Sequence, residues 1–343
     1  MSVSVVIIMQ CPTKGAENCQ FDNMDILEEK EERMKAAVVE MPTVQADVQQ
    51  NMRTAQEYVQ KASGEGAALI VFPEFFTTGF AFSEAIYDAI ADSVDVEERM
   101  REWSRTYGIA VGGSYLWYDS ESGETYNKFG LFFPTGEQYF HKKDIPTAME
   151  NFCYTAGDRE RTFETPLGRI GIVMCWEQLR YDTLREMTGK VDLVIGGSCW
   201  WGFAEEDGHL LYALLARANA RLAGKIPHVL AKTLGVPFIH ASHASSFQGG
   251  TLRDINRKCT RKIHGDAMIL DSTGNALCRA EQKAGICYAE VEPLFGKEAV
   301  RLPEDKYWVL RLPKLLEKGF YMLNEKFAQY YEQISKAEIE KRI

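Results

Sequence analysis

From residue 33 onward, apolar runs of strand length alternate with amphipathic stretches of helical period, and this alternation restricts the chain to layered α/β folds. "MKAAVVEM" reads as a strand. The next segment, "ADVQQNMRTAQEYVQKAS", puts Val48, Met52, Ala55, Val59 and Ala62 on one helical stripe, with Gly64 placed to close the helix. "AALIVF", "IAVGGSYLW", "RIGIVM", "VDLVIGG" and "HVLAK" read as further strands, and helices are expected at "VEERMREWSRTYG" and "HLLYALLARANARLAG". Thr183 and Glu186 have capping-box spacing for a helix ending near Gly189. "YNKFGLFFPTGEQYFHKK" and "HGDAMILDSTGNALCRA" read as hairpins. Continuous and hairpin-linked strands together predict two packed mixed sheets with helices outside. One domain is expected over 33–296. It carries an extension, residues 1–32, ending in the charge-dense "DILEEKEER", and a charged tail, 297–343, with a helix at 313–340.

Composition narrows the partners. The 343 residues carry a formal net charge of −10 and no basic stripe, which argues against nucleic acid or an anionic membrane surface. "KCTRK" at 258–262 reads as a solvated loop. No apolar stretch approaches the roughly 20 residues of a membrane-spanning helix. "VSVVIIM" lacks the basic flank and cleavage site of a signal peptide. The eight cysteines form no CxxC pair, so reduced thiols in a cytoplasmic protein are the expectation.

Three stretches place a chemically capable side chain where a strand ends, the edge at which α/β sheets build their sites. In "VFPEFFTTGF", Glu74 follows a buried strand among aromatic residues, surroundings that raise a carboxylate toward the range useful for proton transfer. An exposed loop glutamate is the competing reading. In "YFHKKDIP", Lys142 or Lys143 ends a strand ahead of a stiffening proline, or both are solvated lysines. In "GIVMCWE", Cys175 stands at a strand-to-turn junction where backbone N–H groups and a cation can stabilise a thiolate, although a buried inert thiol is the commoner fate. The "HASHASS" run at 240–246 lacks a carboxylate or cysteine at ligand spacing and reads as a polar loop with a supporting role. There is no GxGxxG or GxxxxGK, and no metal or organic cofactor follows from these residues.

Taken in order, proline-glutamate after a strand, lysine after "YFH" and cysteine-aromatic-acid after a strand resemble the Glu-Lys-Cys triad of the nitrilase superfamily of carbon–nitrogen hydrolases. "TYNKFGLFFPTGEQYFHK", "MENFCYTAGD", "GGSCWW" and the late hairpin, with Asp266 where the family has serine, extend the resemblance over roughly residues 33–292. The resemblance implies a four-layer α-β-β-α sandwich that assembles as a homodimer or higher homo-oligomer. It implies Cys175 as nucleophile, Glu74 as general base, and Lys142 as the ammonium facing the developing oxyanion together with the Trp176 backbone N–H. Lys142 is preferred to Lys143 because it directly follows the Phe-His pair. Glu150 is implied as the supporting carboxylate, and Trp200 as a pocket residue beside Trp176.

The bond attacked is less direct to read. "CWE" and the "PTAME" run are similar to true nitrilases. Two features point away from them: an eight-residue spacing from Lys142 to Glu150, and the absence of their proline in "QLRYD". Hydrolysis of a small amide or carbamoyl compound is therefore the leading expectation and nitrile hydrolysis the alternative. Two readings of other classes are a non-catalytic binding or scaffold relative, which has no need of all three triad residues, and a metal-dependent hydrolase.

Overall fold

Strand β1 (Met34–Met41) is buried along nearly its whole length, which is why it reads as a continuous apolar run rather than an alternating one. The computed structural model describes residues 33–203, 210–249, 259–295 and 298–343, and the expected extension 1–32 lies outside them. Around β1 a mixed sheet is laid out as β5-β4-β3-β2-β1-β15. It comprises β2 (Leu69–Val71), β3 (Ala110–Asp119), β4 (Glu124–Phe132), β5 (Gln138–Lys142) and β15 (Gly285–Val291). β1, β2 and β3 run parallel, whereas β4, β5 and β15 pair antiparallel.

A second mixed sheet has the order β6-β7-β8-β10-β13-β14. Its strands are β6 (Thr162–Thr165), β7 (Gly168–Met174), β8 (Leu193–Gly197), β10 (Phe238–His243), β13 (Met268–Leu270) and β14 (Ala276–Arg279). The two sheets are hydrogen-bonded to each other where β1 meets β10, at Glu40–Ser242 and Met41–His243. A small sheet of β9 (Trp200–Trp201), β11 (Ser246–Gly249) and β12 (Cys259–His264) lies alongside.

The layers follow from the apolar clusters. Ala36, Val38, Leu69 and Val71 of the first sheet pack face to face with Ile170, Ile172, Leu193 and Ile195 of the second. The first sheet's other face buries the stripe of α1 (Val48–Gly64), including Met52, Ala55 and Val59, together with Met100 and Trp103 of α3 (Val96–Tyr107). The second sheet's other face buries Leu184 of α4 (Tyr181–Met187) and Leu230 and Leu234 of α5 (Leu210–Leu234). Helix-sheet-sheet-helix is thus the observed stacking, while α2 (Ala85–Ala91), α6 (Lys314–Tyr330) and α7 (Lys336–Glu340) share a further apolar cluster through Ile86, Phe320 and Ile339.

Several local expectations change. "HVLAK" is helix, because Leu222, Ala223, Ile226, Leu230 and Leu234 make one helical stripe that carries α5 through Pro227. "FIHASH" supplies the buried strand β10 in its place, so the histidine run is not a loop. "CTRKIH" forms β12 rather than a solvated loop. Thr183 lies inside α4, and Glu186 takes the Arg161 guanidinium at 2.6 Å instead of closing a capping box. Gly66, at φ 76, takes the left-handed position expected of Gly64.

Candidate active site

The end of β2 delivers Glu74 into a fully buried position. Its Oε1 accepts from the Lys143 ammonium at 2.7 Å and from the Asn127 amide at 2.9 Å, and its Oε2 accepts from the Cys199 backbone N–H at 3.0 Å. Burial raises the Glu74 carboxyl above the ordinary range against the pull of Lys143.

Lys143, not Lys142, is the ammonium that meets Glu74. The reason is the pleat: along β5 the side chains alternate, His141 points inward and Lys142 outward, and Lys143 just beyond the strand points inward again. Lys142 lies over the rings of Tyr126 and Trp117, 4.4 and 5.4 Å from their centroids, away from the buried carboxylates. Gly157 fixes this turn. A Cβ there would come within 2.3 Å of the Lys142 Cβ, and its N–H donates to the Lys143 carbonyl at 2.8 Å.

Glu150 sits in the 3-10 turn Ala148–Phe152 and closes the arrangement from the other side. Its Oε2 accepts from Lys143 at 2.6 Å and from the Tyr154 hydroxyl at 2.6 Å, and its Oε1 accepts from the Trp201 indole at 3.1 Å. Burial by itself would lower the Lys143 ammonium, but Glu150 and Glu74 together hold it well above the ordinary lysine range.

Cys175 leaves β7 at φ 47 and starts the 3-10 turn Cys175–Leu179. Its thiol lies in a group with the Glu74 and Glu150 carboxylates in which one donor atom from each falls within 4.8 Å of the others. Burial first, then the charge of Glu74, push the thiol well up, so the resting sulfur is neutral and needs a base to take its proton. Three donors of this kind could suit a metal ion, but the Lys143 ammonium already stands between the two carboxylates and supplies the positive charge they require.

Among the described residues, six non-glycine residues have positive φ, and Phe75, Ala148 and Cys175 are three of them. Each is next to, or two residues from, a member of the cluster or is one itself. Left-handed backbone at a phenylalanine costs on the order of 1–3 kcal/mol, and such strain concentrates where geometry serves function.

The structure therefore brings Glu74, Glu150 and Cys175 together, puts Lys143 where Lys142 was expected, and sets the rings of the two expected tryptophans, Trp176 and Trp200, 5.9 Å apart. Trp176 lies in an aromatic wall with its ring 5.0 Å from Phe320. Trp200 is buried and spends its indole N–H on Asn219 of α5 at 2.8 Å, so Trp201 is the indole that touches the reactive group. Asn127, Tyr154 and Trp201 were missed as direct partners. The Tyr-Asn pair in "TYNKF" was the signal for the first, and position 154, one turn after Glu150, was the signal for the second.

Behind this group lies a second buried cluster. Glu177 receives the Met174 backbone N–H at 2.8 Å, the Asp144 N–H at 3.1 Å and His141 Nε2 at 3.0 Å, with Arg161 at 3.4 Å. It ties the turn bearing Cys175 to the strand end bearing Lys143.

The carbon-nitrogen hydrolase family model matches residues 35–295. The bifunctional nitrilase/nitrile hydratase NIT4 of Oryza sativa is 28% identical over 168 residues, 42% of this chain and 46% of that protein. An aliphatic nitrilase of Sinorhizobium fredii is 26% identical over 46% of this chain and 58% of its own length. The chain thus spans about half the length of the curated relatives it matches. Among solved structures, the carbon-nitrogen hydrolase of Helicobacter pylori superposes with a TM-score of 0.63 at 18% identity, covering 88% of this chain and 94% of that one. This chain belongs to the carbon-nitrogen hydrolase family of the nitrilase superfamily.

Proposed function

We propose that this chain hydrolyses a small-molecule carbon–nitrogen bond through a covalent Cys175 intermediate, with a nitrile as the leading substrate class. The observation that carries the reading is the Lys143 ammonium, held at 2.7 and 2.6 Å by two buried carboxylates beside a neutral thiol. Glu74, raised by burial, takes the thiol proton as Sγ attacks the substrate carbon. Lys143 and the Trp176 backbone N–H face the negative charge that develops on the substrate nitrogen or oxygen. With a nitrile the adduct is a thioimidate. Addition of one water and loss of ammonia give the thioester, and a second water, activated by Glu74, releases the acid. With an amide, attack and loss of ammonia give the same thioester directly, and one water completes the reaction. Glu150 positions Lys143 and shares its charge.

The amide preference expected from sequence rested partly on an eight-residue lysine-to-glutamate spacing. With Lys143 as the ammonium the spacing is seven, that of true nitrilases, and the matched relatives in rice and Sinorhizobium fredii are nitrilases. Amide hydrolysis remains the second reading, favoured by the absent proline in "QLRYD". Ammonia release from matched panels of aliphatic and aromatic nitriles and amides separates the two. Nitrile turnover that disappears in Cys175→Ala is expected, and amide turnover without any nitrile turnover would sink the lead.

A further inference from the structure

The wall facing the nucleophile is completed by chain that lies beyond the family-matched residues 35–295. Phe320 of α6 stacks on Trp176 at 5.0 Å with ring planes 12° apart, and Trp308 stands edge-on to both, 6.2 Å from Trp176 and 6.0 Å from Phe320. This is not a loose contact. Val309 N–H donates to the Leu179 carbonyl at 2.8 Å and Tyr181 N–H to the Tyr307 carbonyl at 2.9 Å, so residues 307–309 are stitched to the segment that follows Cys175. The Trp308 indole N–H is held by Glu317 at 2.9 Å. α6 also packs against the turn carrying Glu150.

On the outer side, Trp308 lines a surface cavity of about 590 Å³ together with Tyr181, Leu312 and the cationic side chains of Lys306, Arg311 and Lys314. On the inner side, Cys175 is 1% exposed. Trp308 therefore has this cavity on one side and the ring of Trp176, the residue after the buried Cys175, on the other.

We propose that Trp308 and Phe320 are specificity-determining residues: they form a partition that limits the acyl side chain of the substrate, confining the site to compact, uncharged acyl groups. This inference rests on Cys175 being the nucleophile. The Trp176, Trp308 and Phe320 rings present indole and phenyl surface, which offers a carboxylate or ammonium no partner. Truncating Trp308 extends the outer cavity toward Trp176 and admits longer or aromatic acyl groups, because a packed aromatic wall cannot yield a ring's volume by small adjustments.

The test reads access to Cys175 without requiring turnover. The full chain is treated with iodoacetamide and with N-benzyl iodoacetamide, and the labelling rate at Cys175 is followed by peptide mass spectrometry. In the unaltered protein the small probe is expected to label about tenfold faster or more, and in Trp308→Ala and Phe320→Ala that ratio is expected to fall at least about fivefold, the scale of size discrimination in apolar pockets. Trp308→Phe and Phe320→Leu, which keep the packing, are expected to give intermediate ratios and guard against a variant that fails to fold. A ratio unchanged across all four variants, or Cys175 unlabelled by either probe in every one, overturns the proposal. A changed ratio in a chain that turns over no nitrile or amide breaks the hydrolase reading alone. Turnover with an unchanged ratio breaks only the partition.

Discussion

Two clusters of buried charge lie back to back behind the end of β7, and they differ in how their charges balance. In the reactive group one ammonium serves two carboxylates, and Glu74 is held above the ordinary range by burial and by the nearby charge of Glu150. In the group behind it, burial acts on Glu177 in the same raising direction, yet His141, Arg161 and Arg180 overwhelm it and hold the carboxyl well below the ordinary range. The His141 ring lies between two oxygens, Nδ1 2.7 Å from the Glu160 carbonyl and Nε2 3.0 Å from Glu177. Equal burial thus gives a carboxyl suited to accepting a proton in one cluster and a permanently ionised anchor in the other. The count of cations around the acid decides which.

Three substitutions probe that contrast. The largest effect is expected on the reactive side: Cys175→Ala should lower turnover by about a thousandfold or more while the denaturant midpoint barely moves, since a small neutral thiol leaves little packing behind. Retained turnover would remove Cys175 from the mechanism.

On the anchoring side the order is reversed. Glu177→Gln strips a charge from a buried, cation-rich cluster and should cost about 3–5 kcal/mol of unfolding free energy at neutral pH. The sign with pH follows from the lowered carboxyl. The unfolded chain binds the proton first as pH falls, so the stabilisation from Glu177 is present above the ordinary carboxylate range and is lost as pH drops toward its folded value. Urea unfolding across acid pH should therefore show a weaker acid loss in Glu177→Gln than in the unaltered protein. A parallel pair of curves would mean that Glu177 is not the anchor.

The smallest effect is expected at Lys142. Its ammonium rests on the Tyr126 and Trp117 rings, so Lys142→Ala should cost about 0.5–1 kcal/mol and leave turnover intact. A large loss of turnover would restore Lys142 to the site.

These contrasts also mark what was legible in the chain. The layered fold followed from periodicity; Glu74 and Cys175 stood at strand ends where a loop acid and an inert thiol were open readings too, and the nitrilase resemblance singled them out together with Glu150. The choice between Lys142 and Lys143 was not legible, because a preceding Phe-His pair says nothing about which way the pleat turns, and adjacent residues on a strand face opposite sides. The strand expected at "HVLAK" failed for a related reason. A short apolar run fits either period, and only its continuity with the stripe through Leu222 and Ile226 makes it helix. The tail reads as a charged appendage because buried residues such as Phe320, Phe327, Tyr331 and Ile339 are spaced about one to two turns apart among exposed charges. Among the described residues no helix is long and apolar enough to cross a membrane.

One backbone detail bears on the reaction more than its size suggests. Gly196 and Gly197 end β8 between the strand ends that carry Glu74 and Cys175. A Cβ on Gly196 would fall 1.8 Å from the Val173 carbonyl oxygen, and one on Gly197 would fall 2.7 Å from Pro73 Cα and 3.2 Å from the Glu74 nitrogen. In the proposed mechanism the distance a proton travels from the Cys175 sulfur to the Glu74 carboxylate is therefore set by the thinnest spacer a polypeptide possesses, and substitution at this pair is expected to lengthen that path.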